Sequence, residues 1–92
     1  MYKILKKEAL TDSIFLMDIE APRVATSGKP GQFIILINTE KGERIPLTIA
    51  DLDPKNGVVT IVVQIVGAST LELSKMNVGD YIHDFVGPLG RH

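Results

Sequence analysis

The chain has 92 residues, ten basic and eleven acidic, with a formal net charge of −1 and no cysteine. That length makes one domain with one modest core, and 45% apolar against 23% charged residues excludes a disordered chain. Balanced charge excludes the clustered basic face of a nucleic-acid binder or a polybasic membrane patch, and the absence of cysteine excludes disulfides, cysteine-ligated zinc and iron–sulfur ligation by this chain.

The dominant signal is β. Tyr2–Leu10 alternates loosely and reads as a first strand, with Lys3, Lys6 and Lys7 followed at once by Glu8. Ser13–Ile19 alternates better, and Phe15, Met17 and Ile19 form its core face. Ala21-Pro22 ends or bends this strand, and Arg23–Thr26 reads as a short edge piece. Lys29-Pro30-Gly31 is a turn feeding Phe33–Ile37, a strand apolar on both faces and therefore expected to be covered on both. Arg44–Ile49 is extended, with Pro46 marking an edge or an unpaired N–H. Asn56-Gly57 makes Asp53–Gly57 a hairpin turn, and Val58–Val66 is the clearest strand.

Ser69–Met76 changes period. Ser69 or Thr70 can cap a short helix, Ser69-Thr70-Leu71-Glu72 is close to a capping box, and Asn77 and Gly79 stop it. Tyr81–Val86 is the last strand, and Gly87-Pro88-Leu89-Gly90 reads as a turn or domain exit. The expectation is an all-β domain over residues 1–92: a small six-stranded antiparallel Greek-key barrel, with one capping helix near residues 69–76 filling an open end. The apolar runs Phe33–Ile37 and Val58–Val63 are too short to span a bilayer, and the N-terminus lacks a signal-peptide pattern. A soluble cytoplasmic protein is expected, without nucleic-acid or membrane partners.

Two segments can carry binding chemistry. In Arg44–Asp51, a guanidinium able to fork onto a diphosphate precedes Pro46, Leu47 and Thr48. On residue types alone, an edge strand with one solvated arginine is the simpler account. In Gln64–Thr70, a strand runs through Gly67 into a helix start rich in N–H and hydroxyl donors. A plain strand-to-helix turn with a serine or threonine cap is again the simpler account, by a smaller margin. His83 and Asp84 are neighbours on an expected strand and so point to opposite faces, and His92 is terminal. No catalytic residue and no metal site is expected.

The order Pro30-Gly31-Gln32-Phe33, Arg44–Asp51, Val66–Thr70 with Val78-Gly79-Asp80, then Gly87-Pro88-Leu89-Gly90 resembles the flavin-binding barrel of the ferredoxin–NADP reductase superfamily. Within it, the chain is similar to the branch holding the ferredoxin–NADP oxidoreductase alpha subunit (sulfide dehydrogenase beta subunit) and the dihydroorotate dehydrogenase electron-transfer subunit. The resemblance implies FAD as cofactor. It places Arg44 at the diphosphate, and Pro46, Leu47 and Thr48 along the isoalloxazine. Ile65, Val66 and Gly67 would border the ring or ribityl chain, and Ala68, Ser69 and Thr70 would donate to the phosphates. Leu47 stands where most family members carry an aromatic residue, and the arginine is one residue farther from the threonine than in the commonest pattern.

The resemblance also implies a parent protein that continues into a nicotinamide-nucleotide domain and a cysteine-rich segment holding a [2Fe–2S] cluster, and that pairs with a larger flavin/iron–sulfur subunit. Neither NAD(P)H nor the cluster would be held by this chain, which would be an incomplete reductase by itself and open to self-association. A non-enzymatic β-barrel interaction domain is the second reading.

Overall fold

β-branched runs separated by turn residues give seven strands and two short helices in the computed structural model, which describes residues 2–90 and so leaves His92 outside the described residues. The strands are β1 (Tyr2–Ala9), β2 (Ile14–Glu20), β3 (Phe33–Ile37), β4 (Arg44–Asp53), β5 (Val58–Gln64), β6 (Tyr81–Ile82) and β7 (Asp84–Leu89). The helices are α1 (Pro22–Ser27) and α2 (Ala68–Ser74). All strand pairs are antiparallel, in the order β6-β1-β2-β5-β4-β3-β7. β3, β4 and β5 form a meander and β2 returns beside β5, a Greek-key order. The sheet curls into a half-barrel. Its two edge strands, β6 and β7, are consecutive in the chain, and the rings of Tyr2 on β1 and Phe85 on β7 meet with centroids 5.7 Å apart.

The expected six strands are seven. Tyr81–Val86 is not one strand, because the chain breaks at His83: Ile82 pairs with Tyr2 on β1, whereas Asp84 pairs with Ile37 on β3. Gly87-Pro88 is not a turn either. It lies inside β7, where Phe33↔Leu89 and Ile35↔Val86 leave β7 one residue longer than β3. An edge-strand bulge is one of the few sheet positions proline accepts. Glycine is required beside it by close approach, since a Cβ on Gly87 would sit 2.7 Å from Ile34 Cγ2.

The Arg23–Thr26 edge piece is instead the middle of α1. Pro22 ends β2 and also takes the first position of α1, where the missing N–H costs nothing. α1 turns Val24 and Ala25 into the core. The helix near residues 69–76 runs Ala68–Ser74 and starts from Gly67, without a side-chain cap from Ser69 or Thr70.

The core face of β2 is Phe15, Met17 and Ile19, at 4%, 0% and 0% exposure. Ile34, Leu36, Ile45 and Ile49 join it from β3 and β4, Val59, Ile61 and Val63 from β5, and Leu73 from α2. Burying each such side chain stabilises by about 1.5–3 kcal/mol relative to exposure. The loose alternation of β1 has a cause: the register passes from Ile4↔Ile19 to Lys6↔Asp18, so β1 holds one extra residue. That bulge reverses the alternation and puts Lys7 opposite buried Met17, on the inner face. Its Nζ donates to the carbonyl oxygens of Ser74 and Met76, at the end of α2. Among the described residues, no helix is long and apolar enough to cross a membrane.

Candidate functional site

Antiparallel partners share a sheet face. β3 and β4 pair Phe33 with Thr48, Ile35 with Pro46, and Ile37 with Arg44. Ile34, Leu36 and Ile45 are buried, so Arg44, Pro46 and Thr48 all project outward. Across β3, Ile35 pairs with Val86 and Ile37 with Asp84. An apolar outer strip results from Phe33, Ile35, Pro46 and Val86, with Phe33 37% and Val86 41% exposed. Thr48 lies at the Phe33 end, and Arg44 and Asp84 lie at the other.

Two grooves adjoin at Pro46. One, of about 350 Å³, is lined by Gly31, Phe33, Pro46, Leu47 and Thr48. The other, of about 240 Å³, lies between Glu43–Pro46 and Val66–Thr70. The fold thus brings together Arg44, Pro46, Val66, Gly67, Ala68, Ser69 and Thr70, and sets Leu47 and Thr48 next to them. Ile65 is placed elsewhere: it packs against the core and borders a separate depression with Lys7 and Phe15. Leu47 is half-buried and packs on the core, as its position between outward Pro46 and Thr48 requires. On this strand Pro46, two residues from Arg44, presents the outward surface. A depression of about 420 Å³ between α1 and β7 carries both signs of charge, from Glu20, Arg23 and Asp84, beside Tyr2 and Phe85.

The groove's polar groups are unequal. Thr70 is buried, and its hydroxyl accepts the Val66 N–H at 2.8 Å and donates to the Gly67 carbonyl at 3.2 Å. It shapes the loop and has no spare proton. Ser69 Oγ donates to Glu43 Oε2 at 3.0 Å. Arg44 is exposed and makes no ion pair among the described residues, where the ion pair is Lys6 with Glu8. Gly67 is extended at φ 170°, a conformation open to any residue, and a Cβ there would meet no atom within 4 Å. The fold itself does not demand glycine at this point, whereas a ligand lying against the backbone would.

The outer motifs hold the strip in place. Gln32 Oε1 accepts the Lys29 N–H at 2.9 Å, and Gln32 Nε2 donates to the Gly90 carbonyl at 2.8 Å. Ile49 N–H donates to the Gln32 carbonyl at 2.8 Å. One glutamine therefore ties the turn before β3 to the end of β7, while its backbone holds β4. Asp51 serves locally, accepting the Leu52 N–H at 2.9 Å beside the β4 bulge. Sequence reasoning missed Glu43 and Phe33 as groove residues. Alternation puts Phe33 on the face of Ile35 and Ile37, but only the pairing with Thr48 brings it to the groove, and only the fold brings Glu43 to Ser69.

No family model matches the chain. It is 67% identical over 90 residues to an uncharacterised protein of Clostridium beijerinckii, covering 98% of the chain and 30% of that protein. It is 47% identical over 88 residues to a dihydroorotate dehydrogenase B (NAD(+)) electron-transfer subunit homologue of Thermotoga maritima, covering 96% of the chain and 31% of that protein. The solved structure of an NADH-dependent reduced ferredoxin–NADP oxidoreductase, studied for flavin-based electron bifurcation, superposes with a TM-score of 0.96 at 45% identity, over 99% of the chain and 33% of its own. A siderophore-interacting protein from Acinetobacter baumannii shares the fold, at a TM-score of 0.76 and 21% identity over 99% of the chain and 40% of its own. The chain thus spans about a third of the length of the curated relatives it matches. In sequence the chain is similar to one segment of the dihydroorotate dehydrogenase electron-transfer subunits and of the NADH-dependent ferredoxin–NADP oxidoreductase, and its fold is the barrel fold of the ferredoxin–NADP reductase-like proteins.

Proposed function

We infer that the chain is the FAD-binding module of an NAD(P)H-dependent electron-transfer oxidoreductase, one that passes electrons between nicotinamide nucleotide, flavin and an iron–sulfur centre. One observation carries this reading: a continuous outer surface joins an apolar platform (Phe33, Pro46) to an exposed guanidinium (Arg44) and an open glycine turn (Gly67–Ser69). A planar apolar ring with a diphosphate tail needs that sequence of surfaces. The relatives support it through the electron-transfer role and the flavin chemistry in their descriptions.

In this reading Arg44 forks onto the diphosphate. The N–H groups of Gly67 and Ala68 and the Ser69 hydroxyl face the same phosphates. Pro46 lies under the ring, Thr48 offers its hydroxyl at the ring edge, and exposed Val66 borders the ribityl chain. Leu47, Ile65 and Thr70 support these groups from the core side. FAD supplies hydride acceptance and single-electron transfer when bound, and the protein's part is to bind, orient and shield it. The NAD(P)H site and the [2Fe–2S] cluster belong to other parts of the parent protein, which pairs with a larger subunit in the cytoplasm.

The exposed strip by itself would also suit the surface of a protein partner, so flavin retention decides. Incubation with FAD followed by desalting is expected to leave visible flavin absorbance bands on the protein. Arg44→Ala and Thr48→Ala are each expected to weaken binding in a fluorescence titration. Absence of binding at high micromolar FAD, or variants that bind like the parent chain, would contradict the assignment.

A further inference from the structure

The geometry points to Glu43 as the residue that sets this site's preference for a diphosphate diester over a terminal phosphate monoester, an inference that rests on the flavin reading above. Glu43 and Ser69 line the same groove as Arg44. The Ser69 hydroxyl, a donor on the groove wall, gives its proton to a Glu43 carboxylate oxygen 3.0 Å away. Arg44, the adjacent residue, makes no ion pair among the described residues. The protein's own anion therefore sits on the Ser69 side of the groove and leaves the guanidinium open.

An entering phosphate must share that space with the Glu43 charge or displace it from Ser69. The penalty scales with the charge the ligand concentrates there. A phosphate monoester such as the end of FMN carries about −1.5 to −2 at pH 7, whereas each phosphate of the FAD diphosphate carries a single charge and spreads it along a chain. Arg44 attracts both ligands, and Glu43 supplies the difference. Glu43 is exposed and water screens the repulsion, so the discrimination it adds is about two- to fivefold rather than absolute.

The test is fluorescence titration of FAD and of FMN against the parent chain, Glu43→Gln and Glu40→Gln. Glu40 is exposed and does not line the groove, so its variant makes the same change in net charge away from the site. Glu43→Gln is expected to narrow the FAD-over-FMN preference by about two- to fivefold, chiefly through tighter FMN binding, while Glu40→Gln leaves the preference unchanged. Thermal unfolding of each variant checks that the fold is intact. If the parent chain binds FAD but Glu43→Gln leaves the preference unchanged, or Glu40→Gln shifts it equally, the role of Glu43 is overturned and the flavin site stands. If the parent chain binds neither flavin, both fall together.

Discussion

Replacing Lys7 by methionine tests how α2 is held. Methionine keeps most of the aliphatic stem and removes the ammonium, which donates to the carbonyl oxygens of Ser74 and Met76. α2 has no basic residue in its own last turn and Lys75 is its C-cap; Lys7 is the cation that hydrogen-bonds to carbonyls at its negative end. Hydrogen bonds to a charged group contribute about 1.5–3 kcal/mol each when buried. Lys7 is only half-buried, and water would replace part of the lost interaction. The net destabilisation expected for the pair is therefore about 1–3 kcal/mol. For a domain of this size, that lowers the Tm by about 4–24 °C. Circular dichroism melting would measure the shift, and hydrogen exchange would locate it. The Leu71, Lys75 and Met76 amides, which bond Gly67, Glu72 and Leu73 carbonyls, should lose protection before those of β5. FAD should also bind a few-fold more weakly, because Ser69 rides on α2. A variant with an unchanged Tm and unchanged exchange at these amides would refute the idea that Lys7 anchors the helix.

Gly87→Ala should destabilise by about 1–3 kcal/mol in urea unfolding, since its Cβ would fall 2.7 Å from Ile34 Cγ2 and 3.2 Å from the Phe33 carbonyl. Adding Ile34→Leu, which removes the γ2 methyl, should recover part of that loss, and simple additivity would contradict the contact. Asp53 has its pKa lowered from 3.8, first by the hydrogen bond from the Asn56 side-chain amide and then by the Asn56 N–H. Its contribution is therefore complete above about pH 4 and is lost as pH falls through the lowered folded-state value. Melting temperatures of the parent chain and Asp53→Asn should differ at neutral pH and converge in acid. Arg44→Ala should raise the FAD Kd about 5–30-fold, equivalent to about 1–2 kcal/mol for an exposed charge-assisted contact, and reduce its salt dependence. A change below twofold would remove Arg44 from the diphosphate.

The parts of this fold that were legible in the sequence are those in which one strand face is buried without interruption. β2 shows it, with Phe15, Met17 and Ile19 inward, and so does the turn at Asn56-Gly57, where Gly57 has φ +69°. Interruptions hid the rest. The β1 bulge moved Lys7 to the inner face, so a residue that reads as part of a basic run is a helix anchor. Pro22 reads as a strand terminator and is also a helix initiator. The break at His83 splits one apparent strand between the two edges of the sheet. At the candidate site, Arg44, Pro46 and Thr48 were legible as alternating residues of one strand. Their closeness to Gly67–Ser69 is a product of tertiary packing and has no local signature. Thr70 looks like an available donor in the sequence, and only its bonds to Val66 and Gly67 show that it is spent.

The most direct test of a flavin site in the groove between β4 and the Gly67 loop is an amide chemical-shift map of the 15N-labelled chain during FAD titration. Shifts should concentrate at Phe33, at Arg44, Ile45, Leu47 and Thr48, and at Val66–Ser69, with β1 and the outer face of β2 unaffected. Saturable shifts confined to the depression between α1 and β7, or no saturable shift at all, would contradict it.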